Sequence, residues 1–492
     1  MKKRSMGLSA RLVVLTVVVL TSGALIASAP AASPAPRSSA KVDARVTQQV
    51  RAQGSATFWA LFTRSADLRP AFAIADWTAR GIFVLDALRS TADDSQRTVR
   101  AILNREGVAN QAFWIVNGIR VVNGTAQTLA ELSARPEVSR IVPDWQGHVI
   151  QPIAGTARIK SVDGVEWNIK NIQANKVWRQ FGDRGQDSVV GSIDTGVQFD
   201  HPALVNQYRG NLHNGSFDHN YNWWDPSHFC PQPKPCDNVD HGTHTMGTMV
   251  GRDGTNKIGV APKAQWMTAK GCETTSCSSF ALLSSGQFML APTDLNGQNP
   301  KPELRPDVVN NSWATNVGGD TFYQSTVNAW VAAGIFPQFA NGNNGPSCGT
   351  VGAPGSYINS YGAGAYDINN AIASFSSRGP SPFSNEIKPN ISAPGVNVRS
   401  SIPINSYALF SGTSMASPHV AGTIALVITK NPTLRGNISQ LRTIIDNSGT
   451  DVSATQCGGT TDDNNVFGEG RLNALAAVQS AAPAGKAVAI KH

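Results

Sequence analysis

Three uninterrupted apolar runs constrain the fold of this chain more than any other feature. They are SVVGSID (188–194), PDVVNNSW (306–313) and GIFPQFANGN (334–343), which end at Asp194, near Trp313 and near Asn343. Runs without polar alternation are typical of strands that are buried on both faces of a parallel sheet. Between about residues 165 and 481 they alternate with glycine-rich loops and helical stretches. We therefore predict a doubly wound α/β domain with a mostly parallel sheet, whose ligands bind at the carboxyl ends of the strands.

A smaller unit precedes this domain and ends near residue 144. Three of its segments are typical of strands: ATFWALFT, QAFWIVNGIRVVNG, which also contains turn signals, and VSRIVPD. Two are typical of helices: DDSQRTVRAILNREG, which has aspartate caps and follows the first strand, and TAQTLAELSAR, which follows the second. The order strand, helix, strand, helix, strand predicts a small α+β module.

The first residues have the pattern of an export signal. A positively charged start (MKKRSMGLSAR) is followed by an apolar run at 12–27 and by small residues. We predict a signal peptide at residues 1–29, an Ala/Pro/Ser-rich linker at 30–44 and a loose tail at 482–492, and hence a secreted, extracellular protein without stable membrane insertion. A membrane anchor is the alternative, and the run is short for one. The net charge of +8 comes from scattered residues, so no nucleic-acid partner is expected.

The six cysteines form an even set in a chain expected to meet oxidising conditions. Cys230 and Cys236 are close in sequence, as are Cys272 and Cys277, which would leave Cys348 to pair with Cys457. Spacing does not decide among the other possible pairings. A zinc site is the alternative reading, but no CxxC pair has a second matching pair.

The motif DTG contains Asp194 at the end of an apolar run. An aspartate there is usually a turn residue, because its side chain bonds to nearby backbone N–H groups. An aspartic protease would need a second such carboxylate, since its chemistry shares one proton between two. The chain has no second DTG or DSG.

The motif DHGTHTMGTMVG contains His241 and His244, three positions apart. The zinc-protease pattern HExxH, with its glutamate base, is absent. A packed core histidine is the ordinary alternative to a catalytic one.

The third motif is SGTSMASPHVAG (411–422), which contains Ser414. Serine, threonine and glycine are common helix caps, so a cap is the ordinary reading of this residue. A serine at the start of a helix also lies where backbone N–H groups and the helix dipole stabilise negative charge. The segment therefore suits a nucleophile as well as a cap.

These three motifs, in the order Asp, His, Ser, resemble the subtilisin-like serine proteases (subtilases) over about residues 165–481, and VVNNSW and HGTHTMGTMVG are most similar to the bacillopeptidase F-like branch. The resemblance implies that Ser414 is the nucleophile, His241 the general base and Asp194 the residue that orients the imidazole. It also implies that Asn343, in FANGNNGP, donates a hydrogen bond to the oxyanion together with the backbone N–H of Ser414.

The resemblance further implies which segments bind the substrate. They supply Asn311, Ser312, Trp313 and Ala314 on one side and Ala340, Asn341 and Gly342 on the other. Trp313 is expected at the rim of the first specificity pocket, with a core tryptophan as the alternative. No acidic residue lies at the expected pocket base, so a strict preference for basic residues is not expected.

The small unit resembles the family's ferredoxin-like inhibitory propeptide, which implies a propeptide domain at residues 45–160 and a catalytic domain at 161–481. Self-cleavage is then expected between about Trp145 and Gly164, and the propeptide is expected to act as an intramolecular inhibitor. A folding module without inhibitory function is the alternative.

The resemblance implies no cofactor for the chemistry. Many relatives bind a structural calcium through an aspartate where this chain has Ala203, so that usual site is not expected to hold calcium; a site near GRDGTNKIG (251–259) stays open. The predicted function is a monomeric, secreted serine endopeptidase that acts on polypeptides through an acyl-enzyme intermediate and is made as a self-processing precursor. A processing peptidase specific for one partner protein is the alternative, and a catalytically dead scaffold is disfavoured because the triad and Asn343 are present.

Overall fold

A computed structural model describes residues 41–152, 162–315 and 317–481. The predicted signal peptide, most of the predicted linker, the predicted domain boundary between residues 160 and 161 and the predicted tail lie outside these ranges and stay predictions. Among the described residues, no helix combines the length and the apolar character that crossing a membrane would require.

The N-terminal α+β unit is an antiparallel sheet of order β2-β3-β1-β4 packed against helices. Its core contains Phe58, Ile119 and Ile141, all fully buried. The elements are α1 Ala44–Gln53, β1 Ser55–Phe62, α2 Trp77–Arg105, β2 Asn110–Phe113, β3 Gly118–Thr125, α3 Ala126–Ala134 and β4 Val138–Pro143.

Three local predictions for this unit need correction. The segment at 111–124 is a hairpin of β2 and β3 rather than one strand. Helix α2 begins at Trp77 and not at the aspartates of DDSQ, because the Asp76 side chain caps it by accepting a hydrogen bond from Ala79 N at 2.7 Å. Helix α1 was not predicted. The periodic signal in the second half of α2 was strong enough to find the helix but not its start.

Seven of the remaining strands form one large sheet. Its order is β17-β16-β15-β13-β7-β11-β8, and every neighbouring pair is parallel, which confirms the predicted doubly wound α/β fold. The strands are β5 Gln146–Val149, β6 Gly164–Val165, β7 Val189–Asp194, β8 Trp223–Trp224, β9 Arg252–Asp253, β10 Asn256–Lys257, β11 Gln265–Lys270, β12 Ser276–Ser278, β13 Val308–Asn311, β14 Trp313–Ala314, β15 Phe336–Ala340, β16 Tyr361–Tyr366, β17 Ile391–Pro394, β18 Val398–Ile402 and β19 Ser406–Phe410.

Helices cover both faces of this sheet. They are α4 Trp167–Asn171, α5 Ala174–Phe181, α6 His241–Val250, α7 Ser279–Leu290, α8 Gln324–Ala333, α9 Thr413–Lys430, α10 Ile438–Asn447 and α11 Ala474–Ser480. In β7, Val190 joins the core under α6 and α9, whereas Ile193 joins the core under α7 and α8. The three apolar runs of the sequence form β7, β13 and β15 at the centre of the sheet. Burial on both faces explains their lack of polar alternation.

Three disulfides join Cys230 to Cys236, Cys272 to Cys277 and Cys348 to Cys457. The first two are the pairs that the close spacing suggested, and the third joins the two cysteines that these pairs leave over. The pairing removes the cysteines from any zinc site, because no cysteine of the chain remains free.

Candidate active site

Asp194 and His241 meet at the carboxyl end of β7. The His241 Nδ1–H donates to Asp194 Oδ1 at 2.7 Å, and both side chains are almost fully buried. Asp194 also accepts hydrogen bonds from Thr195 N at 2.7 Å and from Thr245 Oγ1 at 3.1 Å. These bonds fix the carboxylate, which in turn holds the imidazole in the tautomer that leaves Nε2 without a proton.

Helix α6 begins at His241, and its start is fixed by Asp237. The Asp237 carboxylate accepts from Thr243 N at 2.9 Å and from Thr243 Oγ1 at 2.7 Å, and its other oxygen accepts from Thr195 Oγ1 at 2.9 Å. Burial raises the pKa of Asp237, and these donors oppose that shift. Asp237 therefore ties the helix that carries His241 to the strand end that carries Asp194. The sequence reasoning missed it, because the N-cap signal applies to the residue directly before the helix, which is Asp240, and not to a residue three positions earlier.

Lys270, at the end of β11, pairs in register with Asp194. Its side chain is fully buried, and Nζ donates to Asn238 Oδ1 at 2.6 Å and to the Thr195 carbonyl. Burial lowers the pKa of Lys270, while the charge of Asp237 is the largest influence that raises it. A buried ammonium thus balances the buried carboxylates beside the histidine, a contact that no motif in the sequence indicated.

Ser414 is the second residue of α9. Its Oγ donates to the Ile150 carbonyl oxygen at 3.1 Å, with the Ser312 carbonyl oxygen at 3.4 Å as the other acceptor. Across the described ranges, the buried His241 Nε2 has no hydrogen-bond partner, so the structure does not join it to Ser414. Hydrogen bonds between a nucleophile and its base are often formed only in the reacting complex.

Asn343 lies in the loop after β15 and, like Ser414, contacts the segment that contains Ile150 and Gln151. Its Nδ2 donates to the Gln151 carbonyl oxygen at 3.1 Å. Its Oδ1 accepts from Thr413 N and from Thr413 Oγ1, each at 2.9 Å. Thr413 thereby directs the amide NH₂ toward the segment that contains Gln151.

The segment before Gln151 lies in the cleft as an extended peptide. Strand β5 is antiparallel to both β12 and β14 and forms the middle of a three-stranded sheet. His148 pairs in register with Ala314, and Ile150 N donates to the Ser312 carbonyl oxygen at 3.2 Å. The backbone edges of the α/β domain therefore bind this segment through main-chain hydrogen bonds.

The Ile150 side chain occupies a small apolar slot. It packs with Ala314 and Ala340, and only 4% of Ile150 is exposed. Trp313 does not line this slot: it is fully buried and makes edge contacts with Tyr323 at 5.0 Å and with Phe339 at 5.9 Å between ring centroids. Successive side chains in a strand point to opposite faces, so Ala314 faces the slot and Trp313 faces the core. The predicted rim position of Trp313 is wrong, and the core alternative holds.

The polar residues that were predicted to bind the substrate form hydrogen bonds to the surrounding backbone. Asn311 Nδ2 donates to the carbonyls of Val309 and Gln338, each at 3.1 Å, and Asn341 Nδ2 donates to the Ser377 carbonyl at 2.8 Å. Gly342 has φ of 108°, a backbone conformation that favours glycine. These residues shape the loop that presents Asn343 instead of contacting the bound segment with their side chains.

Comparison with known proteins agrees with this geometry. The family model described as the subtilase family matches residues 185–470, more than half of the chain. The chain is 41% identical to Bacillopeptidase F of Bacillus subtilis (strain 168) over 81% of its own length, but it spans only 28% of that relative. It is 33% identical to Subtilisin DY of Bacillus licheniformis, with 64% of this chain and 99% of the relative covered. The chain belongs to the subtilase family of serine peptidases.

Proposed function

We propose that this protein is a secreted serine endopeptidase that cuts its own chain between Ile150 and Gln151. The observation that carries the proposal is the position of Ile150. Its N–H is bound to Ser312, its side chain fills the apolar slot, and its carbonyl oxygen lies 3.1 Å from Ser414 Oγ. This is the arrangement of a substrate residue whose carbonyl is about to be attacked.

The reaction uses the residues of the cleft in a fixed order. His241 Nε2 takes the proton of Ser414 as Oγ bonds to the Ile150 carbonyl carbon, and Asp194 stabilises the resulting imidazolium. The C–N bond to Gln151 then breaks, and His241 gives the proton to the leaving amine. A water molecule, deprotonated by the same histidine, hydrolyses the ester, so that Ile150 ends as a carboxylate and Ser414 is regenerated.

Two small rearrangements must precede this attack. Ser414 Oγ has to rotate from the Ile150 carbonyl oxygen toward His241 Nε2. The Asn343 amide has to exchange the Gln151 carbonyl, which it now binds at 3.1 Å, for the oxygen that becomes negative on Ile150. The backbone N–H of Ser414 would be the second donor to that oxygen.

The N-terminal unit would keep the product in the cleft after cleavage. Trp59, fully buried, donates through Nε1 to Asp144 Oδ1 at 2.9 Å and to Ser279 Oγ, on the first residue of α7, at 3.0 Å. Its ring also lies 5.3 Å from that of Phe322. These contacts dock the sheet of the unit on the catalytic domain immediately before the segment that enters the cleft, which supports its role as an inhibitory propeptide.

The apolar slot also supports a substrate preference. Two alanine methyl groups, those of Ala314 and Ala340, border Ile150. We expect the enzyme to prefer branched or medium-sized aliphatic residues before the cleaved bond. A peptide library should rank Ile, Val and Leu above Lys, Arg and Trp at this position, and a preference for basic residues would contradict the assignment.

The usual calcium position does not fit a cation in this chain, and we propose that an arginine takes its structural role. Ala203 contributes no oxygen ligand from its side chain and packs with Tyr407. The Arg399 guanidinium lies over the Tyr407 ring, 5.2 Å from its centroid, and binds Glu166 at 2.6 Å. It also donates to Asn256 in β10. A positive charge of the protein itself therefore joins β18, the segment before α4 and the β9–β10 hairpin.

The experiment that tests the proposal compares the wild-type chain with Ser414→Ala, and with Ser439→Ala as an exposed control. Mass spectrometry measures the carboxyl end of the released N-terminal fragment, which later trimming of the mature N-terminus does not change. We expect a fragment ending at Ile150 from the wild type and the control, and one uncut chain from Ser414→Ala. Processing of Ser414→Ala, or a fragment that ends elsewhere in the wild type, would overturn the proposal.

A further inference from the structure

The first turns of α2 bind the catalytic domain through a buried arginine. Arg80 donates through Nε to the Ala332 carbonyl at 2.6 Å, through Nη2 to the Val331 carbonyl at 3.0 Å and through Nη1 to the Gly436 carbonyl at 2.9 Å. Only 9% of Arg80 is exposed. Val331 and Ala332 belong to the last turn of α8, where backbone carbonyls lack partners within the helix and carry the negative end of its dipole.

An arginine of the catalytic domain reciprocates this contact. The Arg305 guanidinium lies over the Trp77 ring at 3.5 Å, and its Nη2 donates to the Trp77 carbonyl at 2.7 Å. Arg305 also donates to the Ala333 carbonyl at 2.9 Å. A Cβ added at Gly81 would lie 2.3 Å from Arg305 Nη1, so a larger residue there would displace the Arg305 guanidinium. We call Trp77, Arg80 and Gly81 the amino-edge anchor.

The anchor is far from the cleft. Helix α8 ends immediately before β15 begins, and Asn343 follows the other end of β15. A strand advances about 3.3 Å per residue, so the five residues of β15 separate the two sites by roughly 17 Å. The N-terminal unit is therefore attached near both ends of the parallel strands. β5 and Ile150 bind at the carboxyl ends of the strands, and the anchor binds at their amino ends.

We propose that the amino-edge anchor determines how long the cleaved N-terminal unit remains bound, and thus how long the mature enzyme stays inhibited, without affecting the cut itself. This inference rests on the proposed self-processing. After cleavage, either attachment can open briefly while the other holds the fragment close, so that rebinding is intramolecular. Removing the anchor leaves the fragment held by the cleft and the sheet contacts alone.

The test uses the full chain with Arg80→Met, which keeps the aliphatic stem and removes the donors. Arg97→Met is the matched control, since Arg97 is exposed on the same helix and binds Asp94 of that helix at 2.9 Å. Trp77→Ala is a second anchor variant, in case Arg80→Met fails to fold. Size-exclusion chromatography and recovery of peptidase activity report the lifetime of the cleaved complex.

We expect all folded variants to yield a fragment ending at Ile150, and the fragment to leave at least about tenfold faster in Arg80→Met and Trp77→Ala than in Arg97→Met. Equal lifetimes would overturn the inference. A slower cut in the anchor variants with an unchanged lifetime would also overturn it.

A second set separates this inference from the proposed function. In Ser414→Ala, a recognition sequence inserted after Gly155 lets an added site-specific protease make the cut, and the same three variants are compared. Faster release in the anchor variants of this set supports the anchor even if the wild type never cuts itself. Equal release in this set rejects the anchor independently of Ser414.

Discussion

Asn343 and Thr413 are joined by two hydrogen bonds, because both the backbone N–H and the hydroxyl of Thr413 donate to Asn343 Oδ1 at 2.9 Å. The pair couples the loop after β15 to the first residue of α9. The pair therefore holds the Asn343 amide beside the N-terminus of the helix that carries Ser414. In the proposed mechanism, this amide exchanges the Gln151 carbonyl for the Ile150 oxygen that becomes negative.

Replacing Asn343 by leucine keeps the size of the side chain and removes the donor. We expect kcat to fall about 10²–10³-fold while KM changes little, because the donor acts on charge that exists only in the transition state. Steady-state hydrolysis of a peptide ending in Ile before the cleaved bond measures both constants. Asn344→Ala, at an exposed neighbouring position, is the control. A rise in KM at unchanged kcat would assign Asn343 to ground-state binding instead.

The Cys272–Cys277 disulfide closes the loop that carries one edge of the cleft. Cys272 N donates to the Asp194 carbonyl at 3.1 Å, and Cys277 pairs in register with Gly147 of the bound segment. Converting both cysteines to serine should raise KM several-fold for peptides with four or more residues before the cleaved bond, since these pair with β12. Hydrolysis of a short ester should change little. The Cys230→Ser/Cys236→Ser variant is the control, and an equal loss on both substrates would argue against a binding role.

From the contacts of Arg399 we predict how chelators affect the thermal stability of the fold. We expect EDTA to leave the Tm of the wild type unchanged. Arg399→Met should lower the free energy of unfolding by roughly 3 kcal/mol, because Glu166 loses its partner. Thermal unfolding is measured in the Ser414→Ala background to prevent self-digestion, with the exposed Lys263→Met as control. A large loss of Tm in EDTA would point to a metal that this arginine does not replace.

Because two of its histidines are buried, we expect the folded protein to lose stability in acid. Burial lowers the pKa of His419 to about 4 and that of His244 to about 3. The His419 Nδ1–H donates to the Met415 carbonyl at 2.8 Å, and Asn168 Nδ2 lies 2.7 Å from Nε2, so the ring is held neutral. An unfolded histidine titrates near pH 6.5. Between about pH 6.5 and 4, the unfolded chain therefore binds more protons than the folded one.

The free energy of unfolding should then fall as the pH is lowered through this window, by about 1.4 kcal/mol per pH unit for each histidine that stays neutral in the folded chain. Urea unfolding of Ser414→Ala at several pH values between 4.5 and 7.5 measures the slope. In His419→Gln, this slope should be smaller by the contribution of one histidine, whatever effect the substitution has on the free energy of unfolding at pH 7.5. An unchanged slope in that variant would mean that His419 titrates alike in both states.

The positions of the central strands and the order of the motifs can be predicted from the amino-acid sequence alone. The apolar runs that became β7, β13 and β15 need no tertiary information, because a segment without polar alternation can be stable only where both faces are covered. The close cysteine pairs were also readable, since few residues separate them. The motifs around Asp194, His241 and Ser414 follow the same logic: each lies at a strand end or a helix start that local patterns reveal.

Which side chains face the cleft, and which segment occupies it, depends on how the chain packs in three dimensions. Trp313 and Ala314 are neighbours in sequence, yet the pleat of β14 sends one into the core and the other to the slot, and the register against β5 sets which. Asp237 reaches Thr195, next to Asp194, over 42 positions, and Lys270 reaches Thr195 over 75. Ile150 reaches Ser414 over 264 positions, and Arg80 reaches Ala332 over 252. Such contacts depend on how the sheet and the helix layers pack on each other, and no local sequence pattern predicts them.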